Sequence, residues 1–394
     1  MNDKIKLAII GIGSMGEQHV KSASLLSNTE LVALCDVDEL NVKKVAGQYN
    51  VPFYTDANEV LAIEDLDAVL IATPHYDHTT IAISAFEREV PLHVLTEKPV
   101  GVHTSDIEKM IVAYDNAKER KPDLKFGAIF QQRTLDHWKK IKNLVASGEL
   151  GKLIRMTWTI TDWFRTQCYY DNGGWRGTWK GEGGGVLLNQ CPHNLDLFTW
   201  IGGMPNEVIG VAEFGKHHNI EVEDEVTGLF RYDNGMVGHF ITSTGEFPGS
   251  NLLEIAGENG KIIFDGKEIT YYRNVQSSIK YCEESKNRFG SIENWECKIP
   301  FSEETGSPHK KVIENFCDSI LTGCELVAPA VEGMNSVALS NAILLSQLKG
   351  NAPVKLPFDN AEFIDRFNRL IDESTFVKND VVEADPNEDF SKSH

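Results

Sequence analysis

Positive charge is scarce in this sequence of 394 residues. It has 38 lysines and arginines against 58 aspartates and glutamates, for a formal net charge of −20. Nucleic-acid binding depends largely on Lys and Arg side chains that neutralise phosphates. Because no basic stretch offsets the negative charge, the composition argues against a nucleic-acid partner.

Long apolar runs and paired cysteines are lacking as well. No stretch approaches the ~20 apolar residues that a membrane-spanning helix needs, and the N-terminus MNDKIKLAII shows no signal-peptide cleavage site. The seven cysteines are scattered and form no CxxC pair, which indicates reduced thiols rather than a disulfide framework or a zinc site. We therefore expect a soluble, cytoplasmic protein without a membrane partner.

Strand and helix signals alternate from IKLAII to KFGAIFQQ in the first third of the chain. Repeated βαβ units with apolar strands imply a parallel sheet covered by helices on both faces. Within this series, Ser105 and Glu108 have the spacing of a capping box at the start of a helix.

Beyond about Leu124 the pattern changes to strands joined by tight turns, such as Asp233-Asn234-Gly235. Strands joined in this way are antiparallel. The length also exceeds what one hydrophobic core usually holds. We predict an α/β protein with one domain over residues 1–124, an α+β domain with a large, mainly antiparallel sheet over 125–380, and a polar tail over 381–394.

A glycine motif follows the first strand and opens a helix. Its residues are Gly11, Ile12, Gly13, Ser14, Met15 and Gly16, in the pattern GxGxxG. Asp36 ends the second strand, where an acid that binds ribose hydroxyls is expected. The exposed N–H groups and the helix dipole favour a pyrophosphate, whereas an ordinary glycine turn is the alternative. We predict a Rossmann domain that binds NAD, with NADP disfavoured because Asp36 repels a 2′-phosphate.

Two more loops lie at carboxyl ends of strands in this sheet, where such sheets bind ligands. Residues predicted to join the cofactor site are Ala72, Thr73, Pro74, His75, His78, Glu97 and Lys98. A metal site is the alternative for the two histidines, but they lack a clear third ligand, so we predict no metal. Lys98 is either a surface lysine or, given its place beside the cofactor loop, a catalytic residue. We favour catalysis.

The stretch GGGVLLNQCPHNLDLFTW, residues 183–200, has a helical pattern. It places Asn189 and His193 on one helical face, with Asp196 one turn beyond His193. The three glycines would let the backbone pass close to cofactor or substrate. This stretch is either the wall of an active site or a buried helix with hydrogen-bonded polar groups.

Aromatic side chains cluster just upstream, between glycines. The cluster contains Trp163 and Phe164, and the residues predicted to bind substrate are Arg165, Tyr169, Tyr170, Trp175, Arg176 and Trp179. Aromatic faces with polar forks suit a pyranose or polyol, and glycine-rich loops let such side chains converge. Core packing is the alternative for each aromatic residue.

GIGSMG, the turn Glu97-Lys98-Pro99 and GGG…NxxxHxxD together resemble the Gfo/Idh/MocA family of glucose–fructose oxidoreductases, inositol dehydrogenases and related enzymes. The resemblance implies that Lys98 and His193 are catalytic and that the second domain supports a homodimer or homotetramer. Inositol dehydrogenases of the family have Asp where this chain has Asn189. An amide cannot take a proton, so the resemblance leaves Asn189 a substrate-binding role and excludes an Asp–His relay.

These observations predict an NAD-dependent oxidoreductase of carbohydrate metabolism. Hydride would pass between the nicotinamide and a secondary hydroxyl or ketone of a cyclic sugar, glycoside or inositol. One alternative is a glycoside hydrolase or lyase that uses NAD transiently through a keto-sugar. Another is a non-catalytic sensor that binds sugar and NAD.

Overall fold

The computed structural model describes residues 4–302 and 306–380. The predicted polar tail over 381–394 lies outside the described residues. Within the described ranges, no helix is long and apolar enough to cross a membrane.

The chain forms two compact units that each contain two segments. The first unit comprises Met1–Leu135 with Glu304–Val337, and the second comprises Asp136–Glu303 with Ala338–His394. The helices are α1 (Ser14–Ser24), α2 (Glu39–Tyr49), α3 (Ala57–Leu61), α4 (His75–Glu87), α5 (Thr104–Arg120), α6 (Asp136–Ala146), α7 (Gln167–Asp171), α8 (Pro192–Gly202), α9 (Ser278–Glu284), α10 (Pro308–Thr322), α11 (Ala330–Leu348) and α12 (Asn360–Asp372).

The first unit contains a parallel sheet of six strands. They are β1 (Ile5–Ile10), β2 (Thr29–Cys35), β3 (Phe53–Tyr54), β4 (Ala68–Ile71), β5 (His93–Thr96) and β6 (Phe126–Ala128). Their order is β3-β2-β1-β4-β5-β6, and every neighbouring pair is parallel. This is the strand order of a Rossmann fold, as predicted.

The boundary of the first unit differs from the predicted residue 124 for two reasons. β6 lies beyond that residue yet pairs with β5. α10, which we expected in the second domain, contributes Val312, Ile313 and Phe316 to the core that contains Leu7 and Ile9. Long-range burial of apolar side chains therefore returns a late helix to the first unit.

The predicted capping box before α5 is not formed. The helix begins at Thr104, and the side chain of the N-cap residue, His103, forms no capping hydrogen bond. Ser105 therefore lies inside the helix instead of at the N-cap, where the predicted box requires it.

The second unit contains a sheet of nine strands. They are β7 (Leu153–Ile160), β8 (Glu207–Phe214), β9 (Glu223–Arg231), β10 (Val237–Ser243), β11 (Asn251–Gly257), β12 (Gly260–Phe264), β13 (Ile269–Asn274), β14 (Asn294–Ile299) and β15 (Val354–Lys355). Their order is β14-β13-β12-β11-β7-β10-β9-β8-β15. β10 and β7 pair in parallel and the other pairs are antiparallel, which confirms the mainly antiparallel sheet.

One face of this sheet supports α8, the helix that carries His193. The ring of Phe198 in α8 lies 5.3 Å from that of Phe230 in β9 and 5.9 Å from that of Phe240 in β10. All three aromatic side chains are fully buried. Edge-to-face aromatic packing therefore fixes α8 on the sheet.

Candidate functional site

Three glycines shape the loop between β1 and α1. Gly11 has φ +93°, and a Cβ on it would lie 2.5 Å from the carbonyl group of Ala72. A Cβ on Gly16 would lie 2.0 Å from the carbonyl oxygen of Gly11. Among the described residues, no heavy atom lies within 4 Å of the corresponding position at Gly13. Packing thus requires Gly11 and Gly16, while Gly13 leaves room for a ligand to approach the backbone.

The start of α1 offers backbone donors to an anion. The helix begins at Ser14, and Gly13 before it has no side chain to cap the first turn. The first N–H groups of a helix lack intrahelical acceptors and, with the helix dipole, favour a negative group. The loop therefore has the geometry of a phosphate-binding turn.

Asp36, the residue after β2, holds the glycine loop. Its carboxylate accepts hydrogen bonds from the N–H groups of Ile12, at 2.6 Å, and Asp38, at 2.9 Å. The side-chain amide of Asn41 donates to the carbonyl oxygen of Ile12, at 2.7 Å. A carboxylate has about four acceptor positions, so Asp36 can fix this loop and still accept ribose hydroxyls. Sequence reasoning missed Asn41, because nothing in the motif marks it.

His78 joins the two other predicted cofactor loops, which follow β4 and β5. Its Nδ1 lies 2.7 Å from the carbonyl oxygen of Pro99, and its Nε2 lies 2.8 Å from that of Thr73. The side chain is buried, and burial lowers its pKa. His78 thus contacts protein carbonyl groups through both ring nitrogens and ties the loop that carries Lys98 to the loop after β4. His75 is also buried.

Glu97 is a buried carboxylate directly after β5. One oxygen lies 2.6 Å from Nε2 of His19, and the other accepts a hydrogen bond from the N–H of Lys98, at 3.0 Å. Burial alone would raise the pKa of Glu97. The hydrogen bond from His19 and the charges of His19, Lys98 and His309 outweigh burial, so the pKa lies below its ordinary value. Sequence reasoning missed His19, although it lies three residues after the glycine motif, on α1.

Asn189 lies outside the helix predicted over residues 183–200. α8 begins at Pro192, and Asn189 occupies the preceding turn, where its N–H donates to the carbonyl oxygen of Gly185 at 2.9 Å. The prediction that Asn189 and His193 share one helical face is therefore wrong. Proline is suited to the first position of a helix, and this helix begins there. His193 follows as its second residue and is 6% exposed.

The glycines before this turn serve packing. A Cβ on Gly185 would lie 2.0 Å from the carbonyl oxygen of Glu223 in β9, and Gly183 has φ +85°. A Cβ on Gly184 would meet the Leu188 side chain at 2.9 Å. The structure thus explains Gly184 and Gly185 by the close approach of the turn to β9 and to the Leu188 side chain. The expectation that these glycines lie close to cofactor or substrate stays a prediction.

Two buried glutamates support the turn that carries Asn189. Glu182 accepts hydrogen bonds from the N–H of Gly177, at 2.7 Å, and from the side-chain amide of Asn189. Burial raises the pKa of Glu182, in spite of these hydrogen bonds. Glu223 accepts the N–H of Leu187 at 3.2 Å, and burial raises its pKa to about 7. Sequence reasoning missed both glutamates, because burial of an acid has no local sequence signal.

Four of the predicted substrate-binding residues lie together and are partly exposed. The Arg176 guanidinium lies 4.6 Å from the ring centre of Tyr169 and 4.5 Å from that of Trp175. It also donates to the Tyr169 hydroxyl at 2.6 Å. Arg165 lies 5.3 Å from the Tyr169 ring. This cation–π cluster combines aromatic surface with guanidinium donors, the combination that suits a polyhydroxylated ring.

Tyr170 and Trp179 are core residues of the second unit. The Tyr170 side chain is 1% exposed, and its hydroxyl lies 3.0 Å from that of Thr244. Trp179 packs edge-on against Phe214 and Phe367, at 5.1 Å and 5.6 Å. For these two aromatics the structure agrees with the alternative of core packing, and the substrate-binding prediction is left to Arg165, Tyr169, Trp175 and Arg176.

The glycine loop, Asp36 and the parallel sheet define a dinucleotide-binding Rossmann domain. A family model described as an oxidoreductase family with an NAD-binding Rossmann fold matches residues 5–121. A second model, of the GFO/IDH/MocA C-terminal domain, matches residues 138–263. The chain belongs to the Gfo/Idh/MocA family, as the sequence motifs predicted.

Relatives and solved structures agree with this assignment. The chain is 24% identical to a myo-inositol 2-dehydrogenase of Thermotoga maritima over 270 residues, which cover 66% of this chain and 75% of that protein. It is 25% identical to the WlbA dehydrogenase of Bordetella pertussis, crystallised with NADH and UDP-GlcNAcA; the TM-score is 0.73, with 90% of this chain and 100% of that chain covered.

A levoglucosan dehydrogenase in complex with NADH and levoglucosan shares the fold. Its TM-score is 0.72 at 18% identity, and the match covers 90% of this chain and 100% of that chain. The relatives are thus NAD-binding dehydrogenases of sugars and inositols, and the predicted class, an oxidoreductase that acts on CH–OH groups, is confirmed.

Proposed function

We propose that this protein is an NAD-dependent dehydrogenase or reductase of a cyclic sugar, glycoside or inositol. The observation that carries the proposal is the glycine loop, in which Asp36 fixes Ile12 beside the open Gly13 and the start of α1. When bound, the nicotinamide supplies hydride transfer to or from a secondary carbinol carbon. The protein supplies binding, orientation and proton transfer.

Preference for NAD over NADP follows from the charge beside the expected ribose. Asp36 is a carboxylate at the end of β2, and the next residue, Val37, is 90% exposed and has no charge to offset it. A 2′-phosphate would meet this negative charge, whereas ribose hydroxyls can donate to it. Asp36→Ala combined with Val37→Arg should narrow or reverse the ratio of kcat/KM for the two cofactors. Better use of NADP by the unmodified protein would contradict this assignment.

Lys98 and His193 are the proposed proton carriers of the reaction. Either residue would take the hydroxyl proton in oxidation or return it in reduction. Steady-state kinetics of variants at Lys98 and at His193 decide which residue does so. General acid–base help of this kind contributes roughly 10²–10⁴-fold to turnover. Lys98→Met should therefore reduce kcat by about that factor, with NAD affinity largely retained because the glycine loop and Asp36 are untouched.

The substrate side of the proposal rests on the cluster of Arg165, Tyr169, Trp175 and Arg176. Aromatic faces pack on the C–H faces of a sugar ring, and guanidinium groups donate to its hydroxyls. Ala substitution at Arg176 should raise KM for the sugar more than it lowers kcat. An Arg176→Lys variant keeps the charge but loses the planar stack, and serves as the matched control.

The deciding experiment is incubation of the protein with NAD⁺ or NADP⁺ and a panel of inositols, aldoses, anhydrosugars, glycosides and nucleotide sugars. Appearance of reduced nicotinamide is followed by absorbance, with Lys98→Met as the control. Net reduction with one class of compound supports the proposal. Tightly retained NAD with glycoside cleavage and no net reduction would instead establish the hydrolase or lyase, and binding without turnover would establish the sensor.

A homo-oligomer, dimer or tetramer, is also proposed. One face of the nine-stranded sheet carries a row of paired residues in which Val211, Thr227, Ile241, Thr159 and Leu252 are successive neighbours. Val211 and Leu252 are 41% and 40% exposed. An open sheet face with this much apolar surface favours a protein partner, and a second copy of the chain is the partner proposed.

Light scattering coupled to size exclusion measures the subunit number directly. Lys substitution of both Val211 and Leu252 should dissociate the oligomer. The control is Val112→Lys in α5, a residue that is 58% exposed in the first unit. A monomeric unmodified protein would refute the oligomer.

The seven free thiols support the proposed cytoplasmic location, which cell fractionation tests.

A further inference from the structure

Glu97 connects the loop that carries Lys98 to the helix that begins at the phosphate-binding turn. Its two carboxylate oxygens have different partners, the Lys98 N–H on its own loop and the His19 ring on α1. His19 is fully buried and Glu97 is 6% exposed. The pair therefore bridges two separate segments of the first unit in a site shielded from water.

The partners fix which atom of His19 carries the proton. Glu97 is ionised, so its oxygens can only accept, and Nε2 of His19 must donate. Nδ1 of His19 is buried and has no hydrogen-bond partner among the described residues. The interaction is thus a single charge-assisted hydrogen bond, which is stronger than a bond between neutral groups.

We propose that His19 is a positioning residue for Lys98, because it holds Glu97 as an ionised acceptor that fixes the backbone at Lys98. This inference rests on the proposed function, in which Lys98 handles the substrate proton. In it, α1 has two tasks: its N-terminal N–H groups would hold the pyrophosphate of a bound cofactor, and its buried histidine positions the loop after β5. His19 itself touches neither the substrate nor the reacting atoms.

Among the described residues, the groups whose charge or hydrogen bond lowers the pKa of Glu97 are His19 from α1, Lys98 from its own loop and His309 from the start of α10. The His309 ring lies 5.8 Å from that of His19, and burial lowers the pKa of His309. Without the hydrogen bond from His19, burial of Glu97 is opposed by the one remaining hydrogen bond, from the Lys98 N–H, and by charges at longer range. Its pKa must then rise, and a protonated Glu97 accepts the Lys98 N–H less well.

The test compares His19→Gln, which keeps an N–H donor, with His19→Leu, which removes it. We expect His19→Leu to lower kcat by at least about tenfold, while NAD affinity by calorimetry changes by less than about threefold, because the glycine loop is intact. The acid limb of the pH profile of kcat should move up by roughly one pH unit. His19→Gln should restore most of kcat and the pH profile.

A second readout does not depend on turnover. The depressed pKa of Glu97 contributes stability that is present above the unfolded-state pKa and is lost as pH falls through the folded-state pKa. In His19→Leu the midpoint of thermal unfolding should therefore fall most above about pH 5, and in His19→Gln it should not. The two measurements separate the failure of this inference from that of the proposed function.

Equal pH profiles and equal kcat for the two variants would overturn the positioning role. A different outcome is that the unmodified protein turns over no sugar, while His19→Leu, but not His19→Gln, shows the pH-dependent loss of stability. That outcome would refute the dehydrogenase proposal and the role of Lys98 in it, but not the His19–Glu97 interaction. If His19→Leu loses NAD affinity in parallel with kcat, His19 stabilises the cofactor loop and does not position Lys98.

Discussion

Asn189→Asp replaces the amide that donates to Glu182 with a second carboxyl group. Glu182 is fully buried and its pKa is already raised by burial. The substitution removes a donor from this carboxyl and sets an acceptor of like charge at hydrogen-bond separation. Two carboxyl groups at that separation cannot both be ionised without a large penalty, so the pair should share one proton.

The size of the penalty follows from the distance. Two unit charges about 3 Å apart, at an effective dielectric constant of about 20, repel by about 5 kcal/mol. Position 189 is partly exposed, so solvent screening lowers this value, and about 2–3 kcal/mol is the expected cost at neutral pH. Such a loss corresponds to roughly 3–6 °C in the midpoint of thermal unfolding for a protein of this size.

The protonation of the two carboxyl groups determines how the stability of Asn189→Asp changes with pH. At low pH the carboxyls are protonated in folded and unfolded chains, and the variant loses little. As pH rises above the ordinary carboxyl pKa, the unfolded chain ionises first while the folded pair retains its proton. Asn189→Asp should therefore become less stable, relative to the unmodified protein, as pH rises from about 5 to about 8.

Thermal unfolding across that pH range is the assay, with Glu182→Gln combined with Asn189→Asp as the matched control. The glutamine amide can donate to the new aspartate while its oxygen still accepts from Gly177, so the double variant should recover most of the stability. If the single variant follows the pH dependence of the unmodified protein, the Glu182–Asn189 interaction has no energetic importance. A double variant that is no more stable than Asn189→Asp would contradict the like-charge explanation.

Four further substitutions test three separate parts of the structure. Gly16→Ala should lower the unfolding temperature and abolish NAD binding in calorimetry, because its Cβ would lie 2.0 Å from a backbone oxygen; Gly13→Ala should fold normally and lose only NAD affinity. His193→Ala should reduce turnover per folded molecule and flatten the pH–rate profile near neutrality, whereas a mere loss of thermal stability would make His193 a core residue. Lys378→Met removes the ammonium that donates to the carbonyl oxygens of Tyr170, at 2.7 Å, and Arg176; KM for the sugar should rise several-fold with NAD affinity unchanged, and an unchanged KM would exclude a role for this contact in substrate binding.

The sequence predicts the first unit well because its signals are local. Each strand is a short apolar run, each helix follows within a few residues, and the glycine motif specifies its own turn. The two-residue strand β3 and the five-residue helix α3 were missed because such short segments carry no readable period. α10 was placed in the wrong domain for a different reason: its apolar face shows that it packs on something, but not on which sheet.

In the second unit, tight turns predict which strands are antiparallel neighbours, and the turn at Asp233-Asn234-Gly235 is formed as expected. The parallel pairing of β10 with β7 has no such signal, because 76 residues separate Ile160 from Val237 and no turn joins them. Pro192 did carry a usable signal. A proline at the first helical position disfavours helix in the residue before it, so the helix could have been started there and Asn189 placed outside it.

Asn189 stands where inositol dehydrogenases of the family have an aspartate, and the sequence alone indicates the loss of an acid. The structure changes what that loss means. A buried acid is still present, but it is Glu182, and it reaches position 189 by accepting a hydrogen bond from the amide. An ionised aspartate could not donate that bond. The buried glutamate therefore favours an amide donor at position 189, and the amide holds the glutamate in place. The two residues are seven positions apart in the sequence, on a turn that no periodic pattern describes. Only the folded chain therefore shows that the two positions should be mutated together.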